Sequence, residues 1–365
     1  MAVLQVNVRP ALNARPHNGS QRGGQAGDFQ TQFRNRSSGP PLPQTLLNDN
    51  EPFHPDVTND LLTPIWQTVV WRLSPGATIG RALIAATERL RDAGSPTASL
   101  DAQVILAHAL DVERSWLFAH YDHELTASEA ERYTDFIARR AASEPVAYLV
   151  GHKEFYGLDL LVDRRVLIPR PETELLVDAV LEWIDDYCTP DSGAAPALVA
   201  DIGTGSGAIA LAIAAETPNA QVYATDVSAD ALEVARRNAE RLNLDQRVTF
   251  YQGDMLAPLP EPVDILVANL PYVRQDEYQT LDADVHDYEP QVALESGPEG
   301  LDAIRRLLTQ APGNLRSGGL IVLEIGHNQG EAVAALATAL LPQAQWVSVE
   351  QDYSGHDRVV RILMP

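Results

Sequence analysis

Residues 197–214, ALVADIGTGSGAIALAIA, confine the fold more tightly than any other stretch of the 365-residue chain. An apolar run ends at Asp201-Ile202, three glycines follow at alternate positions, and small apolar residues then continue at length. That order reads as a buried strand, a turn that brings backbone close to something, and a buried helix. The pattern goes on through QVYATD, ADALEVARRNAERLN, VTFYQGD and VDILVANLPY. A βαβαβ order with short connections requires an α/β doubly wound, mostly parallel sheet. Later strands are expected at 318–326, 345–352 and 357–364. The last two have no helix between them, so an antiparallel edge is expected.

Upstream, TIGRALIAATERLRDAG begins with Thr78 at an N-cap position and stops at Gly94. TASEAERYTDFIARRAASEP carries Thr126 with Glu129 three residues on, the pattern of a capping box. A small helical domain is expected over 76–150. EFYGLDLLVDRRVLI alternates as a β-hairpin does and gives a connector over 151–168. Residues 169–365 form the doubly wound domain. Residues 1–75 are rich in Gly, Pro, Asn, Gln and Arg without period and read as a disordered extension. Within it, IWQTVVWRL (65–73) is the stretch that can dock as a short strand or helix.

Composition excludes several classes. A formal net charge of −23 argues against holding nucleic acid chiefly through phosphates. The single cysteine, Cys188, can form neither an internal disulfide nor a zinc cluster, and no metal site is expected. With no apolar run long enough to span a bilayer and no secretion signal, a cytoplasmic location without membrane contact is expected.

In a parallel sheet the ends of the first four strands meet at one edge. There the glycine loop Gly203, Thr204, Gly205, Ser206 and Gly207 would lie beside Asp226, which ends the second strand and can accept both hydroxyls of a ribose. Asp254 and Met255 follow the third strand and would face an adenine amino group and an apolar ring face. The fourth strand runs into Asn269, Leu270, Pro271 and Tyr272. An Asn oxygen and an adjacent backbone carbonyl can each accept one N–H of a planar –NH₂, and an aromatic ring can stack on its plane. Spacing alone leaves the ligand open. Gly203-x-Gly205-x-x-Ala208 also fits a relaxed dinucleotide pattern, and a non-catalytic binding protein would keep the same fold.

This constellation resembles S-adenosylmethionine-dependent methyltransferases of planar amino nitrogens, whose usual clamp is Asn/Asp-Pro-Pro-Tyr/Phe; here Leu270 stands where Pro is usual. LIPRPETE, the glycine loop, NLPY, YEPQVAL and DYSGHDRVV together resemble the HemK family, the protein-(glutamine-N5) methyltransferases of peptide chain release factors, over about residues 78–365. The resemblance implies S-adenosyl-L-methionine as cofactor, held by Gly203–Gly207, Asp226, Met255 and Asn269, with Asp254 nominated beside them. It implies a release-factor glutamine gripped by Asn269, Leu270, Pro271 and Tyr272; a helical domain that docks the protein substrate, and a monomer, are expected beside it. The Arg170–Thr173 turn is a weaker nomination, and Glu172 and Glu174 read equally as an acidic first helical turn. A glutamine methyltransferase of a ribosomal protein and an adenine-N6 or guanine-N2 nucleic-acid methyltransferase are the alternative activities. No His is assigned a catalytic role.

Overall fold

The computed structural model describes residues 7–9, 71–187 and 195–365. Most of the extension assigned to 1–75, and Cys188, lie outside them. Within that extension Asn7–Arg9 forms a short strand, β1, which the sequence reading does not contain. Residues 71–73 form neither strand nor helix, but Trp71 and Leu73 pack on the helical core and the Leu73 N–H donates to Thr134 Oγ1. The helical region therefore begins a few residues before 76. The described residues from 71 onward belong to one compact unit.

Five helices open that unit: α1 (Ile79–Asp92), α2 (Ala98–Leu110), α3 (Arg114–Ala119), α4 (Ala127–Ala141) and α5 (Val146–Val150). Thr78 caps α1 through its side chain. At α4 the capping box is complete, with Thr126 and Glu129 each bonding the other's backbone N–H. Such a cap stabilises a helix end by about 1 kcal/mol. The apolar stripes of α1, α2 and α4 meet at Leu83, Ile105 and Tyr133. The Tyr133 hydroxyl donates to the Ala102 carbonyl, so the buried phenol keeps a partner.

The hairpin β2 (His152–Phe155) and β3 (Leu158–Leu161) follows, antiparallel as expected. A 3₁₀ turn at Pro171–Thr173 leads into α6 (Glu174–Tyr187). The remaining elements are β4 (Ala197–Ile202), α7 (Ala208–Glu216), β5 (Ala220–Asp226), α8 (Ala229–Arg241), β6 (Val248–Gln252), β7 (Val263–Ala268), α9 (Gln275–Tyr278), α10 (Ala283–His286), α11 (Asp302–Gln310), β8 (Leu315–Glu324), α12 (Gly330–Leu340), β9 (Trp346–Gln351) and β10 (Asp357–Leu363).

The sheet runs in the order β1-β9-β10-β8-β7-β4-β5-β6. Strands β8, β7, β4, β5 and β6 are parallel, and β10 is antiparallel to both its neighbours. Every residue of β4 is buried, the mark of a strand covered on both faces. Its alternate residues divide two cores. Ala200 and Ile202 share one with α11 and α12, whereas Val199 shares the other with α6 and α7. Strand order reverses at β4, whose neighbours are β5 and β7, and ligands of such sheets bind at the carboxyl ends beside that reversal.

Candidate active site

A cavity of about 440 Å³ opens there. Gly203, Gly205, Asp226, Asp254, Met255, Asn269, Leu270 and Pro271 all contribute to its wall, so the four strand ends meet as the sequence requires. Gly203, Gly205 and Gly207 have φ of 75°, 56° and 85°, the left-handed region that glycine alone enters without strain. The loop hangs from β5, because the N–H groups of Gly203 and Thr204 both donate to the Thr225 carbonyl at 2.8 and 2.9 Å. Asp226 Oδ2 accepts from the Gly205 N–H at 2.9 Å, and Oδ1 from the Ser228 N–H at 2.8 Å. Burial raises the Asp226 carboxyl above its usual range while these N–H groups pull it back.

Thr204, Ser206 and Gly207 are not part of the cavity wall among the described residues. The Thr204 hydroxyl instead donates to Asp201 Oδ2 at 2.6 Å beneath the loop. Gly207 caps α7 and lies where a Cβ would meet Leu211 at 3.0 Å and Ala235 at 3.3 Å. The Ser206 carbonyl accepts from Asn238 Nδ2 at 2.9 Å. Asn238, fully buried on α8, also exchanges two hydrogen bonds with the backbone of Leu161 and so ties hairpin to loop. These residues shape the loop from below. Asp254 is half-exposed and ion-paired to Arg306, which shares the cavity wall. Met255 takes a left-handed φ of 52°, uncommon for a residue with a side chain, and its carbonyl accepts from the Thr225 hydroxyl.

Asn269 Nδ2 donates to Thr173 Oγ1 at 3.1 Å, and among the described residues no donor reaches Asn269 Oδ1. The Thr173 hydroxyl donates to Glu324 Oε2 at 2.7 Å, and the Tyr272 hydroxyl to Glu324 Oε1 at 3.3 Å. Tyr272 is thus held by its hydroxyl, and it lies outside the cavity wall. Burial raises the Glu324 carboxyl, opposed by Thr173, Arg358 and Tyr272. Sequence reasoning missed Glu324; the available signal was one acid at the end of the apolar strand GGLIVLE. The turn at 170–173 is drawn in through Thr173, while Glu172 is exposed and Glu174 accepts from the Tyr156 N–H.

Residues 288–300 strap the 269–272 loop from outside. Val273 N–H donates to the Leu294 carbonyl, Ser296 N–H to the Val273 carbonyl, and Gln329 Nε2 holds the Tyr272 carbonyl at 3.0 Å. Arg170 pairs with buried Glu289 at 2.6 Å. The Tyr288 hydroxyl reaches the Ala142 carbonyl just past α4, and Arg140 approaches Asp284 at 3.7 Å. The helical region is in this way continuous with the segment that borders the cavity.

Residues 81–151 match the PrmC N-terminal domain, and residues 197–323 match a methyltransferase domain. The release factor glutamine methyltransferase of Moorella thermoacetica is 48% identical over 282 residues, covering 77% of this chain and 96% of that protein. The chain belongs to the release factor glutamine methyltransferases. The enzyme of that name from Xylella fastidiosa strain Temecula1 is 45% identical, with 76% of this chain and 94% of that one covered. That from Bacillus anthracis is 39% identical, with 71% and 90% covered.

Within this methyltransferase Leu270 has a structural task. It is 4% exposed, and its Cδ2 lies where a Cβ on Gly203 would come within 3.2 Å. The side chain therefore packs the 269–272 loop against the glycine loop. Leu270→Ala should lower unfolding free energy by about 2–3 kcal/mol. Urea unfolding measures it, and an unchanged midpoint would show that the contact contributes little.

Proposed function

We propose that this protein methylates the side-chain amide nitrogen (N5) of the glutamine in the Gly-Gly-Gln motif of peptide chain release factors, with S-adenosyl-L-methionine as donor. The observation that carries the reading is an Asn269 amide whose oxygen meets no donor among the described residues, beside a glycine-lined cavity. Gly205 supports the fit of the donor: its Cβ position opens onto free space, so a ligand can approach the backbone closely. Asp226 would accept the ribose hydroxyls, Asp254 the adenine amino group, and Met255 would touch the ring. When bound, the donor supplies a sulfonium methyl whose departure leaves a neutral thioether.

An amide nitrogen is a weak nucleophile, because its lone pair is delocalised into the carbonyl. Asn269 Oδ1 and the Leu270 carbonyl would each accept one of its N–H bonds, fixing the plane and drawing charge toward nitrogen. The cavity wall holds no His or Cys among the described residues, so orientation rather than a dedicated base is the work assigned to it. Tyr272 would hold the shape of the loop through Glu324. The helical region is assigned to docking the protein substrate, in the cytoplasm and by a monomer, without direct contact to nucleic acid.

The test is incubation with methyl-labelled donor and a release factor, its Gln→Ala variant at Gly-Gly-Gln, or bare nucleic acid. Label on the parent factor alone is expected. Label on nucleic acid, or undiminished label on the Gln→Ala variant, would overturn the assignment.

A further inference from the structure

The side-chain amide of Asn269 has two orientations of nearly identical shape, and only one presents an acceptor to an incoming –NH₂. A hydroxyl has one hydrogen to give. Thr173, 4% exposed, gives it to Glu324, itself 1% exposed. What remains on Thr173 Oγ1 is lone pairs, and these face Asn269 at 3.1 Å. Only the NH₂ edge of Asn269 satisfies them. The oxygen is thereby forced to the other side, where no donor among the described residues takes it. A flipped Asn269 would set its oxygen against lone pairs and its NH₂ against the substrate's NH₂. The other carboxylate oxygen of Glu324 holds the Tyr272 hydroxyl, so one buried acid anchors both ends of the 269–272 loop.

We propose that Thr173 and Glu324 are positioning residues that set the orientation of the Asn269 amide, so that its oxygen, not its nitrogen, faces the substrate. This rests on the glutamine-methylating function proposed above. The two residues touch neither donor nor acceptor and act through Asn269. The turn at 170–173 thereby gains a role distinct from donor binding: Thr173, and not Glu172 or Glu174, is the side chain through which it reaches the site.

Thr173→Val keeps the shape and removes both hydrogen bonds; Thr173→Ser keeps both. Leaving the half-buried Asn269 NH₂ and the buried Glu324 oxygen without the hydroxyl that bridges them should lower kcat by about 10–100-fold. Donor affinity should stay within about twofold, and the Ser variant should return kcat to within about threefold of the parent. Kinetics against a release factor, calorimetry with donor, and thermal unfolding of each variant form the experiment. A second readout needs no turnover. The Asn269 side-chain NH₂ resonances, assigned by their loss in Asn269→Asp, should exchange slowly with water in the parent and Thr173→Ser, and fast in Thr173→Val. Unchanged kcat or unchanged exchange in Thr173→Val overturns the proposal, as does a parallel loss of donor binding or failure of Ser to rescue. If the parent itself does not label the release factor, the function fails, and the exchange measurement still decides the orientation of Asn269.

Discussion

Asn269→Ala should lower kcat for methyl transfer by about 10²–10³, the range found when one oriented hydrogen-bonding group is removed from a preorganised site. The substitution deletes the free oxygen at the tip of β7 and leaves the Leu270 carbonyl as the sole remaining acceptor of the clamp. It also strips Thr173 of its donor, so part of the loss is disorder in the relay to Glu324. Donor affinity should fall only a few-fold, because Gly203, Gly205, Asp226 and Met255 still line the cavity. Asn269→Asp should fall between the two, since it keeps an acceptor and lacks the NH₂ that Thr173 requires. Single-turnover rates with calorimetry on the same preparations check this. Near-parental turnover in Asn269→Ala would sink the clamp, and complete loss of donor binding would reassign Asn269 to the cofactor.

Much of this site was legible because its chemistry is local in sequence. Three alternate glycines need one strand and one helix to be interpreted, and the acids that end β5 and follow β6 need only the rule that parallel strand ends converge. Asn269 stood out because a polar residue ends an apolar strand. What was not legible depends on pairs far apart. Thr173 and Glu324 are separated by 151 positions, and Asn269 and Thr173 by 96. No spacing rule links them; only the sheet order brings β8 beside β7 and lays the 3₁₀ turn across their ends. Asn238 illustrates the same limit. On α8 it reads as one more polar residue of ARRNAER, whereas folded it is buried and bonds the hairpin and the glycine loop together. Thr204 and Ser206 add a second case, since a loop motif does not say which way its side chains turn. The Thr204 hydroxyl bonds Asp201 beneath the loop, and both side chains are buried.

Asp201 should make this protein less stable as pH rises toward neutrality. It is 1% exposed at the end of β4, and Oδ2 accepts from the Thr204 hydroxyl and from the Ala210 N–H at 3.2 Å. Oδ1 has no partner among the described residues. Burial drives its carboxyl up to about 7, and nearby Asp226 adds to the rise while the two hydrogen bonds oppose it. In the unfolded chain the same group titrates near 3.8. Between those values the native state binds more protons than the unfolded state, so stability declines with pH by up to about 1.4 kcal/mol per unit. The decline begins near the unfolded value, is complete once pH passes about 7, and totals about 4 kcal/mol. Asp201→Asn retains an acceptor for Thr204 and Ala210 and cannot ionise. Its stability relative to the parent should therefore grow by a few kcal/mol between pH 5 and pH 8. Asp226, Glu289 and Glu324 are raised in the same direction, but they are common to both proteins and cancel in the difference. Urea unfolding of parent and variant across that range gives the result directly. A difference that stays constant with pH would mean that Asp201 is already ionised at pH 5, and that the glycine loop tolerates a buried charge beneath it.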